Sequence, residues 1–381
     1  MANFRKVKLG DVASEHREAY FPSATENIPY IGLEHIEQQT LRLSRIGKSS
    51  DAMSQKKKFI AGNVLYGSLR PYFRKVYKPN FNGVCSTDIT VLKPKSNCNN
   101  SYLFYLIASP EFISKASGAG TGTKMPRAGW KMVKGFMFNI PDLPTQTRIA
   151  SVLSAYDDLI ENNEKRIKAL EEMAQLLYDE WFVKFKFPGY EKVKMIDSGA
   201  EYGMIPEGWG VKKLGEKLNI LKGKNITKST IIDGNIPVVA GGLSPAYFHN
   251  KANAQNPVIT VSASGANSGF VNLYQEDIWA SDCSYVDNDT TPFVYFYYLF
   301  LKNKQIEITK LQRGSAQPHV YPKDLMQLMI ADIPEILMSE FENKIKLIFD
   351  NVRNIKKQNQ NLSKTRDLLI PQLVTGKREL K

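Results

Sequence analysis

Basic, amide and hydroxyl side chains gather in a few short polar stretches of this chain, and such groups contact nucleic acids. Arginine and lysine bind phosphates and guanine edges, asparagine and glutamine suit adenine, and serine or threonine can serve either. In the first half the candidates are Lys56, Lys57, Lys58, Arg70, Tyr72, Arg74, Lys75, Thr121, Thr123, Lys124 and Arg127. In the second half they are Lys222, Lys224, Ser262, Ser264, Asn267, Arg313, Ser315, Gln317 and His319. The formal net charge of +13 also favours a polyanionic partner.

Each candidate has a plainer interpretation as a solvated side chain on a surface loop. Two glycine-rich stretches favour the DNA interpretation, because GTGTKMP (120–126) and GSAQPHV (314–320) occupy matching places in the two halves. Glycine lets a backbone approach phosphates closely. These two stretches are therefore the preferred candidates among the loops.

Patterns of catalytic residues are missing. The D/N-P-P-Y/F motif of adenine methyltransferases does not occur, and GAGTGTK departs from a phosphate-binding loop because Met125 follows Lys124. A nuclease centred on Pro141-Asp142 would have to draw its other acids from a helix. Metal spacing and C-x-x-C pairs are missing among His16, His35, His249, His319, Cys85, Cys98 and Cys283. We therefore expect a chain that is not an enzyme and binds no metal or cofactor.

The elements that position these loops include two long helices with heptad seams. Apolar residues from Ile149 to Trp181 recur in steps of four and three, with Asn163 as a polar interruption. The same pattern returns 192 residues later, from Phe341 to Leu373, with Asn359 and Arg366 as its polar positions. The repeat predicts two similar helices, one closing each half of the chain.

An antiparallel register pairs these seams residue by residue, with partner numbers that sum to 522 (149 + 373). Asn163 then meets Asn359, and Tyr156 meets Arg366, whose guanidinium can lie on the tyrosine ring. A buried asparagine pair penalises every slipped register. We expect an intramolecular antiparallel coiled coil; the alternative is two helices that pack on separate globules.

Outside the helices the halves are also alike, since NIPDLP (139–144) matches DIPEIL (332–337). Short β-type segments such as GNVLYG, DITVLK, IPVVAG and PVITVSA alternate with helical runs, which predicts mixed α/β globules. The fold class is therefore α+β, with two mixed α/β domains in tandem repeat, separated by two long antiparallel coiled-coil helices and related by a pseudo-two-fold axis. The expected boundaries are domain 1 at 1–144, spacer helix 1 at 145–187, a linker at 188–207, domain 2 at 208–334, and spacer helix 2 with the C-terminal tail at 335–381.

The length of the spacer suggests a purpose. A helix over 149–181 rises about 50 Å, and one turn of B-DNA is about 34 Å. Two different domains held about this far apart suit a DNA target that is split into two different half-sites.

Three segments resemble one family: IPDLPTQTRIASVLSAYDDLIENNEKRI (140–167), LSKTRDLLIPQLVTGKREL (362–380) and the PEGW…KLGE opening of the second half. The chain resembles the specificity subunit of type I restriction–modification systems over nearly its whole length. The resemblance implies that both domains are target-recognition domains for double-stranded DNA and that the subunit is not catalytic. It also implies recruitment of two modification subunits, which methylate adenine at N6, and of restriction subunits in the full enzyme. S-adenosylmethionine, ATP and Mg are expected on those partners.

The sequence also indicates an expected location and an alternative function. No signal peptide or membrane-spanning run is evident, and with few cysteines this favours a cytoplasmic protein without membrane contact. The alternative function is a non-catalytic coiled-coil scaffold with an incidental basic surface. The second spacer helix is more polar than the first, which leaves the equality of their partner-docking surfaces open.

Overall fold

The computed structural model describes residues 4–23, 25–120, 125–199, 202–314 and 317–378. The chain divides into two compact units. The first unit contains Met1–Asn163 and Gln358–Lys381, and the second contains Glu164–Lys357. Each unit therefore combines one globule with a part of each long helix.

The secondary structure alternates short strands with helices in both units. The helices are α1 (Leu9–Val12), α2 (Asn100–Ala108), α3 (Pro110–Ala119), α4 (Trp130–Val133), α5 (Leu143–Tyr178), α6 (Val294–Asn303), α7 (Gln305–Lys310), α8 (Pro322–Leu325) and α9 (Glu335–Val374). The strands of the first unit are β1 (Arg5–Lys8), β2 (Ala13–Glu15), β3 (Ala19–Tyr20), β4 (Pro29–Ile31), β5 (Gly47–Lys48), β6 (Lys56–Phe59), β7 (Val64–Gly67), β8 (Val76–Tyr77), β9 (Gly83–Cys85), β10 (Ile89–Pro94) and β11 (Met137–Ile140). Those of the second are β12 (Met195–Asp197), β13 (Met204–Pro206), β14 (Gly210–Lys213), β15 (Leu221–Lys222), β16 (Ile236–Val239), β17 (Tyr247–His249), β18 (Val258–Ser262), β19 (Val271–Tyr274), β20 (Trp279–Ala280), β21 (Cys283–Val286) and β22 (Met329–Asp332).

The two units share one topology. A four-stranded antiparallel sheet has the order β2-β10-β7-β8 in the first unit and β15-β21-β18-β19 in the second. A two-stranded pairing closes each globule, β1 with β11 and β14 with β22. A further mixed sheet has the order β3-β6-β9-β4-β5 in the first unit and β17-β16-β20 in the second. The mixed α/β tandem repeat expected from the sequence is confirmed.

Apolar segments form the buried elements that their composition predicts. All five residues of β18 (VITVS) are buried, as suits a β-branched strand covered on both faces. The aromatic stretch VYFYYLFL (294–301) lies in α6, whose Phe296 and Phe300 lie in the core. Among the residues that the structure describes, none of the helices has the length and apolar character needed to cross a bilayer.

The two long helices run antiparallel in each unit, as the heptad seams predict. In the first unit, Asn163 Nδ2 donates to Asn359 Oδ1 at 2.8 Å, which is the pairing that the sequence register requires. Asn359 also donates to the carbonyl of Ile160, so both amides have partners. In the second unit, the rings of Trp181 and Phe341 lie 5.4 Å apart within the core. Both of these pairs sum to 522.

Helix α5 ends before residue 187, where the expected boundary of the first spacer helix lies. Its α-helical part finishes at Tyr178 and continues as a π-helical turn over Asp179–Val183. The chain then turns at Phe185, whose φ is +55°, so the helix is over before Pro188. The widened turn directs Trp181 and Phe182 into the core.

Arg366 does not pair with Tyr156 as expected. It forms an ion pair with the next residue of α5, Asp157. The Arg366 guanidinium is 1% exposed and donates to the carboxylate of Asp157, and no stacking on Tyr156 occurs among the described contacts. A carboxylate offers a charge-assisted hydrogen bond, which is stronger than an aromatic face at a buried site. The partly exposed Asp157 is therefore the partner of the buried Arg366, in place of Tyr156.

Candidate nucleic-acid interface

The β7–β8 loop of the first unit (residues 68–75) is a tight turn built around Pro71. A 3₁₀ turn spans Pro71–Phe73, and the N–H of Phe73 donates to the carbonyl of Arg70 at 3.0 Å. Arg70 and Arg74 flank this turn, and each has a left-handed φ of +50°. Tyr72 lies at the tip with 45% of its surface exposed.

The β18–β19 loop of the second unit (residues 263–270) repeats this backbone conformation. Its left-handed positions are Gly265 at +79° and Gly269 at +83°, and Ser268 N donates to Gly265 O at 3.0 Å. Left-handed backbone costs a non-glycine residue about 1–2 kcal/mol. The first unit bears that cost twice with arginine, which indicates that the arginine side chains have a role there.

A second loop is attached to each of these turns. It is the α3–α4 loop (residues 120–129) in the first unit and the α7–α8 loop (residues 311–321) in the second. In the first unit, Arg70 N donates to Pro126 O at 2.8 Å and Ala128 N donates to Ser68 O at 2.9 Å.

The second unit has the same two backbone bonds. Gly265 N donates to Pro318 O at 3.1 Å, and Val320 N donates to Ala263 O at 3.0 Å. The two preferred glycine-rich stretches of the sequence therefore begin in loops that are held against the hairpin turns.

An aspartate stands beside each loop pair, and the sequence analysis missed both. The carbonyl of Asp88 accepts from Ser68 N, and its carboxylate lies 3.1 Å from Arg127. Asp282 accepts from Ala263 N in the same way, and its carboxylate accepts from Ser264 Oγ. The signal was present as the matched dipeptides Thr87-Asp88 and Ser281-Asp282.

In the first unit three candidate side chains lie together at the paired loops. Arg70 Nε is buried and has no hydrogen-bond partner among the described residues. Tyr72 and Arg127 are exposed beside it. Lys75 instead donates to the carbonyl of Leu33, and burial lowers the pKa of its ammonium.

Four other first-unit candidates have partners within the protein, although Lys58 and its partner Glu18 are exposed to solvent. Arg74 is buried and donates to Ala108 O at 2.7 Å. On β6, Lys56 is 7% exposed and bonds to Ser54, Lys57 donates to Ile89 O, and Lys58 pairs with Glu18. Lys57 thus bonds to the residue that follows Asp88, whereas Lys56 and Lys58 have their partners in other segments.

In the second unit the loop candidates carry hydroxyl, amide and imidazole groups. Ser264 and Asn267 lie on the β18–β19 loop, and Gln317 and His319 lie on the α7–α8 loop, where His319 stacks on Tyr321. Arg313 has an exposed side chain that pairs with the buried Asp324 at 2.6 Å.

Three remaining second-unit candidates differ in exposure. The Ser262 hydroxyl is buried and donates to Gly241 O, so its role is internal. Lys222 and Lys224 are exposed, and Lys224 N donates to Ala280 O, two residues before Asp282. The candidates outside the described residues are Thr121, Thr123, Lys124 and Ser315.

The arrangement can bind but shows no catalytic grouping in the described ranges. Within those ranges no three His, Cys, Asp or Glu side chains are grouped to hold a metal ion. Each unit instead presents two joined loops with hydrogen-bonding side chains of different chemistry. The fold is therefore a duplication that presents one such loop pair in each unit.

Comparison with known proteins places the chain in a family. The family model for the type I restriction modification DNA specificity domain matches residues 1–172 and 206–363, so the chain belongs to that family. It is 28% identical over 308 residues to the type I restriction enzyme MjaIX specificity subunit of Methanocaldococcus jannaschii, covering 74% of this chain and 70% of that one. It is 23% identical to the HindI specificity subunit of Haemophilus influenzae, over 99% of this chain and 100% of that one.

A solved structure supports the fold. The crystal structure of a type I restriction–modification S subunit from M. genitalium matches with a TM-score of 0.56 and 14% identity, covering 100% of this chain and 97% of that one. The family recognised from the sequence is confirmed by the match of its model to residues 1–172 and 206–363. Membership assigns the chain to the non-catalytic specificity subunits of these systems rather than to their enzymes.

Proposed function

We propose that this specificity subunit reads a bipartite, asymmetric target in double-stranded DNA, one half-site with each unit. The observation that carries the proposal is the shared loop pair: both units hold two loops together with equivalent backbone bonds but present different side chains. Equivalent backbones suit the same kind of ligand, and different side chains select different bases.

The side chains at each loop pair indicate how the two half-sites differ. Arg70 and Arg127 in the first unit have the donors that bind guanine edges or phosphates. Asn267 and Gln317 in the second unit suit adenine, and Ser264 serves donors or acceptors alike. Lys222 and Lys224 are assigned to phosphate contacts, because an ammonium acts as a point charge without bidentate geometry.

We also propose the partners that this role requires. The subunit recruits two modification subunits that methylate adenine at N6, and restriction subunits join them in the full complex. S-adenosylmethionine, ATP and Mg belong to those partners. The exposed faces of α5 and α9 are the proposed docking surfaces, and the more polar α9 gives the two faces different chemistry.

Mapping of methylated adenines in the host genome tests the proposal directly. A strain with the gene should show methylated adenine within one split, non-palindromic motif, and a strain without it should lose that motif entirely. Retention of the motif in the deletion strain, or a continuous motif, contradicts the proposal. An unchanged methylome with loss of a protein assembly would favour the scaffold function.

The Arg70→Ala variant tests the loop assignment within that function. Loss of a base contact relaxes the motif at one position of one half-site, whereas loss of a phosphate contact weakens binding uniformly and flattens its salt dependence. Lys58→Ala is the matched control, because Lys58 pairs with Glu18 away from the loops and its change should leave the motif intact.

A further inference from the structure

We infer that Arg74 and Asp367 are positioning residues through which helix α9 sets the conformation of the β7–β8 loop in the first unit. The inference rests on the proposed function, since it concerns how that loop comes to read DNA. It gives the C-terminal part of the chain a role in base recognition, although Asp367 follows Arg74 by 293 residues.

The contact between loop and helix is direct. Arg74 Nη2 donates to Asp367 Oδ1 at 3.1 Å, while its Nε and Nη1 donate to the carbonyls of Ala108 and Gln39. All three nitrogens of the guanidinium therefore have partners. Arg74 ends the 3₁₀ turn that carries Tyr72, so fixing Arg74 also fixes the exposed tip.

The contact belongs to a chain of alternating charges in which the two arginines are largely buried and the two aspartates are partly exposed. Asp367 Oδ1 also accepts from Arg366, which donates in turn to Asp157 of α5 and to the carbonyl of Thr40. Two arginines and two aspartates make the chain neutral. Matched charges hold this geometry, because a buried guanidinium without a carboxylate partner is unfavourable.

The same network reaches a second segment beside the loop. Gln39 accepts from Arg74, and its side chain donates to Tyr72 O at 2.9 Å. Gln39 has a φ of +65°, so this segment is also held in a conformation that few residues adopt. The helix, the 39–40 segment and the turn are thus bonded together through two guanidinium groups.

The second unit lacks this device at the equivalent place. Gly269 occupies the position of Arg74, and the carbonyls of the loop accept instead from Gln305 and Gln312 of the globule itself. Glycine is the less strained residue at such a φ. The side chain of Arg74 reaches α9, which explains why the first unit has arginine at this strained position.

Two substitutions test the inference in the complete complex with its modification subunits. Arg74→Gly relieves the backbone strain and leaves Asp367 paired with Arg366, but it removes the donor to the carbonyls of Ala108 and Gln39, so its free energy of unfolding is measured beside its binding. Asp367→Asn keeps the size of the side chain and removes its charge. Each should reduce discrimination against single-base changes by about tenfold in the half-site that Arg70→Ala relaxes, and leave the other half-site unchanged. The double variant should be no worse than either single one, because both remove the same contact.

The control is Asp350→Asn, which breaks the pair of Asp350 with Arg353 on the same helix and should change neither half-site. Equal weakening of both half-sites, or no change in either variant while Arg70→Ala relaxes its half-site, overturns the inference and leaves the proposed function standing. If Arg70→Ala relaxes neither half-site, the loop assignment of the proposed function fails instead. Measurement is by binding to a library of single-base substitutions of the target.

Discussion

At the scale of single residues, the two units solve one backbone problem in different ways. Both turns need left-handed positions, which the second unit fills with Gly265 and Gly269 and the first with Arg70 and Arg74. Glycine releases the loop from strain but contributes no side chain. Arginine adds a donor at one position and an internal anchor at the other, so the first loop is more constrained by side-chain contacts.

Gly223 is a residue where the missing Cβ matters. An added Cβ would lie 2.2 Å from the carbonyl of Ser281, so Gly223→Ala must push the Lys222–Lys224 segment away from the Asp282 turn. We expect the free energy of unfolding to fall by about 1–3 kcal/mol, measured by urea denaturation.

Gly118→Ala is the matched control, since nothing lies within 4 Å of its added Cβ inside α3. Alanine there should leave stability unchanged or raise it by about 0.5–1 kcal/mol. An equal loss in both variants would mean that alanine itself, and not the close approach at Gly223, is responsible.

At the scale of elements, the asparagine pair sets the register of α5 and α9 in the first unit. Asn163 donates to Asn359 and also to Gln358 Oε1 at 3.1 Å, so three amides meet within a seam whose other positions, apart from Arg366, are mostly apolar. A slipped register would place each buried amide against hydrocarbon. The pair therefore selects one alignment at some cost in stability.

Replacing the asparagines separates the choice of register from its cost in stability. Asn163→Leu should lower the free energy of unfolding by about 1–3 kcal/mol, because Asn359 loses its buried partner. The double change to leucine should restore or exceed the original value. Thermal and urea unfolding measure both, and Asn162→Leu on the exposed face should change stability by less than about 0.5 kcal/mol. Additive losses in the double variant would contradict this role.

Glu342 links α9 to α6 in the second unit and predicts a pH dependence. Its carboxylate accepts from Tyr295 N and Phe296 N, but burial outweighs these bonds and raises its pKa from 4.5 to about 7. The folded state thus binds the proton more tightly than the unfolded one. This contribution to stability is present below about pH 4.5 and is lost as pH rises through 7.

The Glu342→Gln variant should flatten that dependence. Gln carries no charge, so the fall in the free energy of unfolding between pH 4.5 and 7 should shrink relative to the unaltered chain. Glu340→Gln, on the exposed face of the same helix, is the control and should retain the slope. The same slope in both variants would assign the dependence to other groups.

The helices and the repeat were predictable because their signals are periodic and local. Heptad steps locate both spacer helices, and the positions of Asn163 and Asn359 in the sequence align one helix with the other. The α5 end was not predictable, because a π-helical turn at Asp179–Val183 depends on packing around Trp181 and Phe182.

The candidate site was predictable only in part, for a similar reason. Residue type suggested that Arg70, Arg74 and Lys56 were alike, yet burial and carbonyl partners assign Arg74 and Lys56 to the interior. Such contacts join residues far apart in sequence, as Asp367 and Arg74 do, and no local pattern reports them.

At the scale of the whole molecule, the charge of +13 predicts how binding responds to salt. Neutralising 6–10 phosphates would reduce affinity by about 10³–10⁵ between 50 and 200 mM salt. Lys224→Gln should weaken binding to all sequences and reduce the slope of log affinity against log salt by about one. Titration by fluorescence anisotropy measures the slope, and Lys357→Gln on α9 compares a lysine outside the loops. An unaltered slope for Lys224→Gln would remove it from the phosphate contacts.

The bonds that join the two loops of each unit run between backbone atoms, such as Ala128 N to Ser68 O and Val320 N to Ala263 O. Every residue supplies these backbone atoms, except that proline lacks the N–H. Substitutions of outward-facing side chains in the loops therefore leave the two loops joined. Under the proposed function, point changes at the outward side chains of one unit would therefore alter one half-site, while the other half-site and the backbone that joins the loops stay the same.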